Sequence, residues 1–162
     1  MKRIIPAAIV AVVILVAFGY WWSSDTQALK RRTQSLLSTL TLESGSGKVT
    51  RQMGVYSLEK LLEQQVELIT PTVDQANGTF DRGEMKSAYS WLCNQSNQTR
   101  FTLKEIESVS VTGETAQVTF TLNGLVELPS YRPVDGNFSV TFDWRKSEAG
   151  WQLTRAKWDK IP

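Results

Sequence analysis

Val118-Thr119-Phe120-Thr121-Leu122-Asn123 and Phe138-Ser139-Val140-Thr141-Phe142-Asp143-Trp144 decide how this chain folds. Each alternates apolar and polar residues at the two-residue period of a strand buried on one face only. Val118, Phe120 and Leu122 share one face, with Gln117, Thr119, Thr121 and Asn123 opposite. Phe138, Val140, Phe142 and Trp144 share a second apolar face. Working outward, Val109 and Val111 end an earlier run, while Trp151 and Leu153 open a later one. Thr112-Gly113-Glu114 and Ser147-Glu148-Ala149-Gly150 separate neighbours by short turns, so the spacing predicts antiparallel hairpins. Strands apolar on one side require a cover, and the upstream residues must supply it.

That cover is legible as three helices. Ser24 or Asp25 caps a helix to about Leu42, with Leu29, Thr33, Leu36, Leu37 and Leu40 on one stripe. Ser57 is expected to cap a second, shorter helix with Leu58, Leu61 and Leu62 on its apolar face. Val66 to Val73 ends that helix or forms a short strand, limited by Pro71, and Asn77-Gly78 marks a turn. Asp81 and Glu84 stand at capping-box spacing before a third helix with Met85, Ala88, Tyr89, Leu92 and Cys93 inward. Gly45-Ser46-Gly47-Lys48 is a linker, because a phosphate-binding loop needs Gly and Ser or Thr where Leu42 and Val49 stand. The loop from Pro129 to Gly136, holding Tyr131, two prolines and Asp135-Gly136, is a candidate contact surface or an ordinary long hairpin loop. Four N-x-S/T sequons begin at Asn77, Asn94, Asn97 and Asn137.

The first residues are of another kind. Ile4 to Trp22 is a 19-residue run without a charge, preceded by Met1-Lys2-Arg3. Such a run matches the thickness of a bilayer core. Ile4, Val10, Leu15 and Phe18 belong to its apolar body, and Tyr20, Trp21 and Trp22 make an aromatic girdle at its exit. A signal-anchor helix over residues 4–22 is therefore expected, with residues 1–3 cytoplasmic and residues 23–162 forming a domain outside the cytoplasm. A cleaved signal peptide with Ala17 and Gly19 at −3 and −1 is the rival, giving a secreted protein. Lys30-Arg31-Arg32 competes with Lys2 and Arg3 for the positive-inside side, and is either a solvated face or a contact for anionic headgroups.

Composition excludes several function classes. With Lys2 and Arg3 set aside, 16 basic residues (18 less two) balance 16 acidic ones, leaving no basic field for nucleic acid. The chain has no histidine, which removes His-based acid/base pairs and His metal ligands. Cys93 is its one cysteine, so no intrachain disulfide forms, and without a basic immediate neighbour it reads as an inert buried thiol. No catalytic residue, metal site or cofactor site is legible.

Asp81 to Leu92, Ile106 to Val111 with Gly113-Glu114-Thr115-Ala116-Gln117-Val118, and the closing Gly150-Trp151-Gln152-Leu153-Thr154-Arg155-Ala156-Lys157-Trp158 carry a family likeness. From about Asp25 to Trp158 the chain resembles the nuclear transport factor 2-like (cystatin-like cone) superfamily. The resemblance implies an α+β fold, with three N-terminal helices packed on a strongly curved antiparallel sheet and here preceded by one transmembrane helix. It often implies a conical pocket as well. Members include small isomerases and cyclases alongside many binding and scaffolding domains. Enzymes of that family use a pocket Asp or His with Tyr or Asp donors, none of which has a counterpart here.

Phe120, Phe142, Trp144 and Trp151 are the aromatic candidates for a ligand pocket, though core is their most economical role. Arg155 shares parity with Trp151 and Leu153 and would point into the cone, where it would need a carboxylate or anionic ligand. Ala156 and Trp158 have the opposite parity, so a bulge that turns Arg155 away is the alternative. Asp143 is expected on the polar face. The leading functional expectation is a membrane-anchored, non-enzymatic interaction or scaffolding domain, meeting a protein partner or a second copy through its open sheet face. The alternative is an isomerase/cyclase-like or ligand-binding pocket for a small apolar molecule, which requires an open pocket of about 300 Å³ with convergent polar groups.

Overall fold

The computed structural model describes residues 4–71 and 73–162, residues 4–8 as backbone alone, so the expected cytoplasmic terminus with Lys2 and Arg3 lies outside the described residues. Helix α1 (Ile4–Trp22) breaks at Ser23, and α2 (Asp25–Leu40) starts where the Ser24 hydroxyl accepts the Gln27 N–H. Leu29, Thr33, Leu36 and Leu37 of α2 are buried at a spacing of three to four, as the stripe predicts. Helix α3 (Lys48–Leu61) runs straight into strand β1 (Leu62–Ile69), because Leu62 already has extended backbone angles. A one-turn 3-10 helix (Asp74–Ala76) and strand β2 (Gly78–Asp81) follow. Asp81 then caps α4 (Arg82–Gln95) with the complete capping box, its carboxylate taking the Glu84 N–H while Glu84 takes that of Asp81.

Strands β3 (Gln98–Thr112), β4 (Thr115–Glu127), β5 (Val134–Ser147) and β6 (Gly150–Ile161) form a meander of hairpins. The full sheet has six strands in the order β2-β1-β6-β5-β4-β3. It is mixed, which corrects the expected antiparallel sheet: β1 runs parallel to β6, and the other neighbours are antiparallel. A parallel neighbour needs a long crossover, here supplied by everything between β1 and β6.

A further correction concerns α3. Ser57 does not cap the second helix; that helix begins nine positions earlier, after Gly47. Its first two turns leave Val49 and Met53 exposed and are fixed instead by Arg51. The Arg51 guanidinium donates to the Glu43, Cys93, Ser96 and Asn97 carbonyls and to the Ser46 hydroxyl, at 2.7–3.1 Å. One cation thus covers the C-terminal carbonyls of α4, where a positive charge also complements the helix dipole. The loop of the β4–β5 hairpin is shorter than the expected Pro129 to Gly136: it ends at Pro133, because Val134, Asp135 and Gly136 already pair with Val126, Leu125 and Gly124.

The core lies between α2–α4 and the inner sheet face. Val118, Phe120, Leu122, Val140, Phe142 and Trp144 are almost wholly buried, as alternation requires. Phe120 and Phe142 meet edge to face at 4.9 Å, and Phe142 and Trp144 at 6.0 Å. Gly150 closes the last hairpin with φ +93°, which favours glycine, and a Cβ there would also push aside the Arg32 guanidinium.

Helix α1 stands apart from this core, and its side chains from Ile9 to Trp22 are exposed. Among the described residues no single helix is long and apolar enough to cross a membrane. The stretch Ile9–Trp22 together with α2 meets that requirement by length and composition, as a pair bent by 57°. Because α2 buries its apolar stripe in the core and carries Lys30, Arg31 and Arg32, its place is in the domain.

Candidate functional site

A groove of about 360 Å³ opens between the helices and the inner sheet face. The helical wall comprises Leu36 and Leu40 of α2, Leu58 of α3, and Met85, Ala88, Tyr89, Trp91 and Leu92 of α4. The sheet side is Leu62 and Leu68 of β1, Phe142 of β5, and Leu153, Ala156 and Trp158 of β6. Trp91 is exposed at the wall, while Trp158 is held edge-on by Phe101, Phe138 and Phe142, with centroids at 5.7, 6.2 and 6.3 Å. Three rings around one indole keep that surface in shape before any ligand arrives.

The one hydroxyl in this lining is already committed. Tyr89 donates to the Thr39 carbonyl at 2.8 Å, and burial pushes its phenol pKa well above the ordinary value. The lining carries no carboxylate, lysine or arginine. A general acid or base must hold or release a proton near the working pH, and this lining supplies no such group. The groove is open, as a ligand pocket requires, but convergent polar groups are missing.

The residues singled out from the sequence are scattered by the structure. Phe142 lines the groove. Phe120 and Trp144 lie deeper, in the core, and Trp151 is buried at the other end of β6, where its indole Nε1 donates to Asp25. Arg155 leaves the site altogether. The β5–β6 register pairs Asp143 with Arg155 and Trp144 with Leu153, so Thr154 is an extra residue that shifts the parity of β6 by one. Beyond it Ala156 and Trp158 face inward, and Arg155 faces outward with 48% of its side chain exposed. There its Nε donates to Glu67 at 2.7 Å, its Nη1 lies 3.3 Å from Asp143, and Gln117 donates to the other Asp143 oxygen. Glu67 and then Asp143 raise the Arg155 pKa, which keeps the guanidinium charged.

The residues that sequence reasoning missed are Trp158, Leu68 and Trp91. The inward parity of Ala156 and Trp158 beyond the bulge was the available signal for the first. Cys93 is buried, its thiol donating to the Arg51 carbonyl, and burial raises its pKa. Among the described residues no group of three or more His, Cys, Asp or Glu could hold a metal ion.

No family model matches the sequence, and no curated protein matches it. Solved structures do. A proposed dehydratase of the nuclear transport factor 2-like family from Streptomyces avermitilis superposes with TM-score 0.63 at 20% identity, over 85% of this chain and 96% of that one. A proposed aromatic ring hydroxylase from Novosphingobium aromaticivorans gives 0.67 at 14%, over 85% and 90%. A nuclear transport factor 2-like superfamily protein from Salmonella enterica serovar Typhimurium gives 0.65 at 12%, over 86% and 93%. The chain therefore has the nuclear transport factor 2-like fold, and at such identities the likeness extends to the fold alone.

Proposed function

We propose that this protein is a binding module of the nuclear transport factor 2-like fold, tethered to a membrane by α1 with its domain outside the cytoplasm. Its groove holds an apolar ligand without converting it. The observation that carries the reading is the groove: open, apolar on every wall and without a group able to move a proton. The tether rests on the uncharged run Ile4 to Trp22, whose side chains from Ile9 onward are exposed; the stretch Ile9–Trp22 is not by itself long enough to cross, and reaches that length only with residues 4–8. Its shared fold with a proposed dehydratase leaves chemistry open as a rival, and that rival needs a proton-transfer group which the lining lacks.

The test is titration of residues 23–162 with the apolar fluorophore N-phenyl-1-naphthylamine. Saturable one-to-one binding, lost when Ala88→Trp fills the groove, supports the reading. Absence of saturable binding to the folded domain, or binding indifferent to Ala88→Trp, overturns it.

Scaffolding through protein contacts is favoured by a separate observation. Val49, Met53 and Tyr56 repeat at i, i+4 and i+7 along α3 and are 78%, 65% and 71% exposed. The outer sheet face, the other candidate for a partner or a second copy, carries Thr119, Thr141 and the Glu67–Arg155–Asp143 charges, so an interface there would be polar. Nucleic acid is not among the partners proposed.

A further inference from the structure

We infer that the outer seam between α2 and α3 is a binding site for a phosphate group, borne by an anionic lipid headgroup or by a small soluble phosphate. A depression of about 470 Å³ lies there, lined by Ala28, Arg31, Arg32, Ser35, Ser57, Lys60 and Leu61. Three cations and two hydroxyls surround it, and no carboxylate is among them. The only acids on these two helices are engaged elsewhere: Asp25 pairs with Lys146 at 2.8 Å, and Glu59 with Lys86 at 3.1 Å. Three positive side chains around one concavity, uncompensated by any carboxylate in it, form a field that an anion would complete.

The two arginines are held in place by carbonyls rather than by anions. Arg31 Nη1 donates to the Trp22 carbonyl at 2.9 Å, and its guanidinium stacks over the Trp22 ring at 4.6 Å. Arg32 reaches across the fold, donating to Ala149 at 2.9 Å and to Lys60 at 3.4 Å. The second of these bonds also covers a carbonyl at the C-terminal end of α3, which would otherwise repel an anion. Carbonyls fix position without cancelling charge, so each guanidinium keeps its remaining N–H groups for a phosphate oxygen. Lys60 adds an ammonium from the facing helix.

Position suggests where the phosphate comes from. Arg31 is clamped to the last residue of α1, so the depression begins where the aromatic end of that helix meets the domain. If α1 is the tether proposed above, this places the seam at headgroup level, where each cation adds measurably to anionic-lipid binding. The lipid source rests on that reading; the anion site itself does not.

The experiment uses the full chain in neutral-detergent micelles, followed by amide NMR at Ser57 and Lys60. The titrants are inorganic phosphate and dihexanoyl phosphatidic acid. Saturable shifts are expected, and Arg31→Gln and Lys60→Gln should each weaken binding by about fivefold or more. Lys30→Gln, next in sequence but outside the depression, should leave it within twofold. Arg32 is unsuitable as a probe because it also ties α2 to the last hairpin. Phosphatidic acid binding at least tenfold tighter assigns the headgroup, and equal affinities assign the soluble anion. The proposal is overturned if neither titrant saturates, or if Lys30→Gln weakens binding as much as Lys60→Gln, which is the signature of diffuse charge. Carbonate extraction tests the tether separately, so protein released by carbonate that still binds phosphate would sink the membrane reading alone.

Discussion

The Trp151 indole donates to Asp25 at 3.1 Å and so ties the first turn of α2 to the start of the last strand. The same Asp25 oxygen accepts from Lys146 at 2.8 Å. The Lys146 hydrogen bond first, and the Trp151 bond second, hold the Asp25 carboxyl below the usual carboxylate pKa. A carboxyl depressed on folding contributes stability that is complete above its unfolded pKa of about 4 and is lost as pH falls through its lower folded value. Thermal stability should therefore carry this group's contribution in full and without pH dependence between pH 7 and 5, and decline below about pH 4. Asp25→Asn should flatten part of that decline while costing less than about 1 kcal/mol at neutral pH, since the pair is well exposed. Melting curves of both proteins across pH 2.5–7 measure it, and an unchanged acid slope in the variant would count against the assignment.

Gly54 sits inside α3, where replacing Gly by Ala ordinarily stabilises a helix by up to about 1 kcal/mol. Here the added Cβ would run into the Tyr89 hydroxyl, the group that donates to Thr39. Gly54→Ala is expected to destabilise by about 1–3 kcal/mol instead, because buried Tyr89 must shift and its bond to α2 must break. Denaturant unfolding decides the sign. Adding Tyr89→Phe should recover part of the loss, since it removes the closest atom while the ring still crowds the site.

Alternation located β4 and β5 because one face of each is buried and the other wet, so pattern and burial coincide residue by residue. The capping box at Asp81 was equally legible, being local chemistry. The first half of α3 was not: Arg51 holds it by carbonyl contacts 42 to 46 residues away, and those leave no apolar stripe. Nor was the groove, because a single bulge at Thr154 exchanges the faces of Arg155 and Trp158. Strand parity is reliable only between bulges, and the opposite parity of Ala156 and Trp158 marked this one as an alternative without deciding for it.

The exchange of faces has a measurable consequence. Arg155→Ala removes an exposed ion pair and should cost about 1 kcal/mol or less, with no effect on binding of an apolar fluorophore. Trp158→Ala strips a partly buried indole packed against three aromatic rings and should cost about 2–3 kcal/mol while enlarging the groove. Paired titrations and melts separate the two. Equal loss of binding in both variants would return Arg155 to the pocket.

Cys93 should resist labelling in the folded protein. Its thiol is buried and its pKa raised by that burial, so the reactive thiolate is scarce and shielded at neutral pH. Reaction with a disulfide reagent at pH 7.5 is expected to be slow in buffer and complete within minutes in denaturant. Fast labelling of the native state would mean that α4 opens readily from the sheet.

Removal of residues 1–22 should release a soluble domain with its fold intact. Among the described residues no part of the apolar core precedes Ala28, and the Ser24 cap that starts α2 survives the cut. The losses are local. Arg31 gives up the Trp22 carbonyl and ring, an exposed contact whose absence should lower stability by no more than about 1 kcal/mol. Against this, the exposed side chains of Ile9 to Phe18, which in water invite aggregation, are gone. Size-exclusion chromatography and circular dichroism should find a folded, dispersed domain, and carbonate washing should leave the full chain in the membrane pellet. A truncated chain that unfolds would mean that α1 packs as part of the domain; full-length protein extracted by carbonate would mean that its apolar surface is covered by something other than a bilayer.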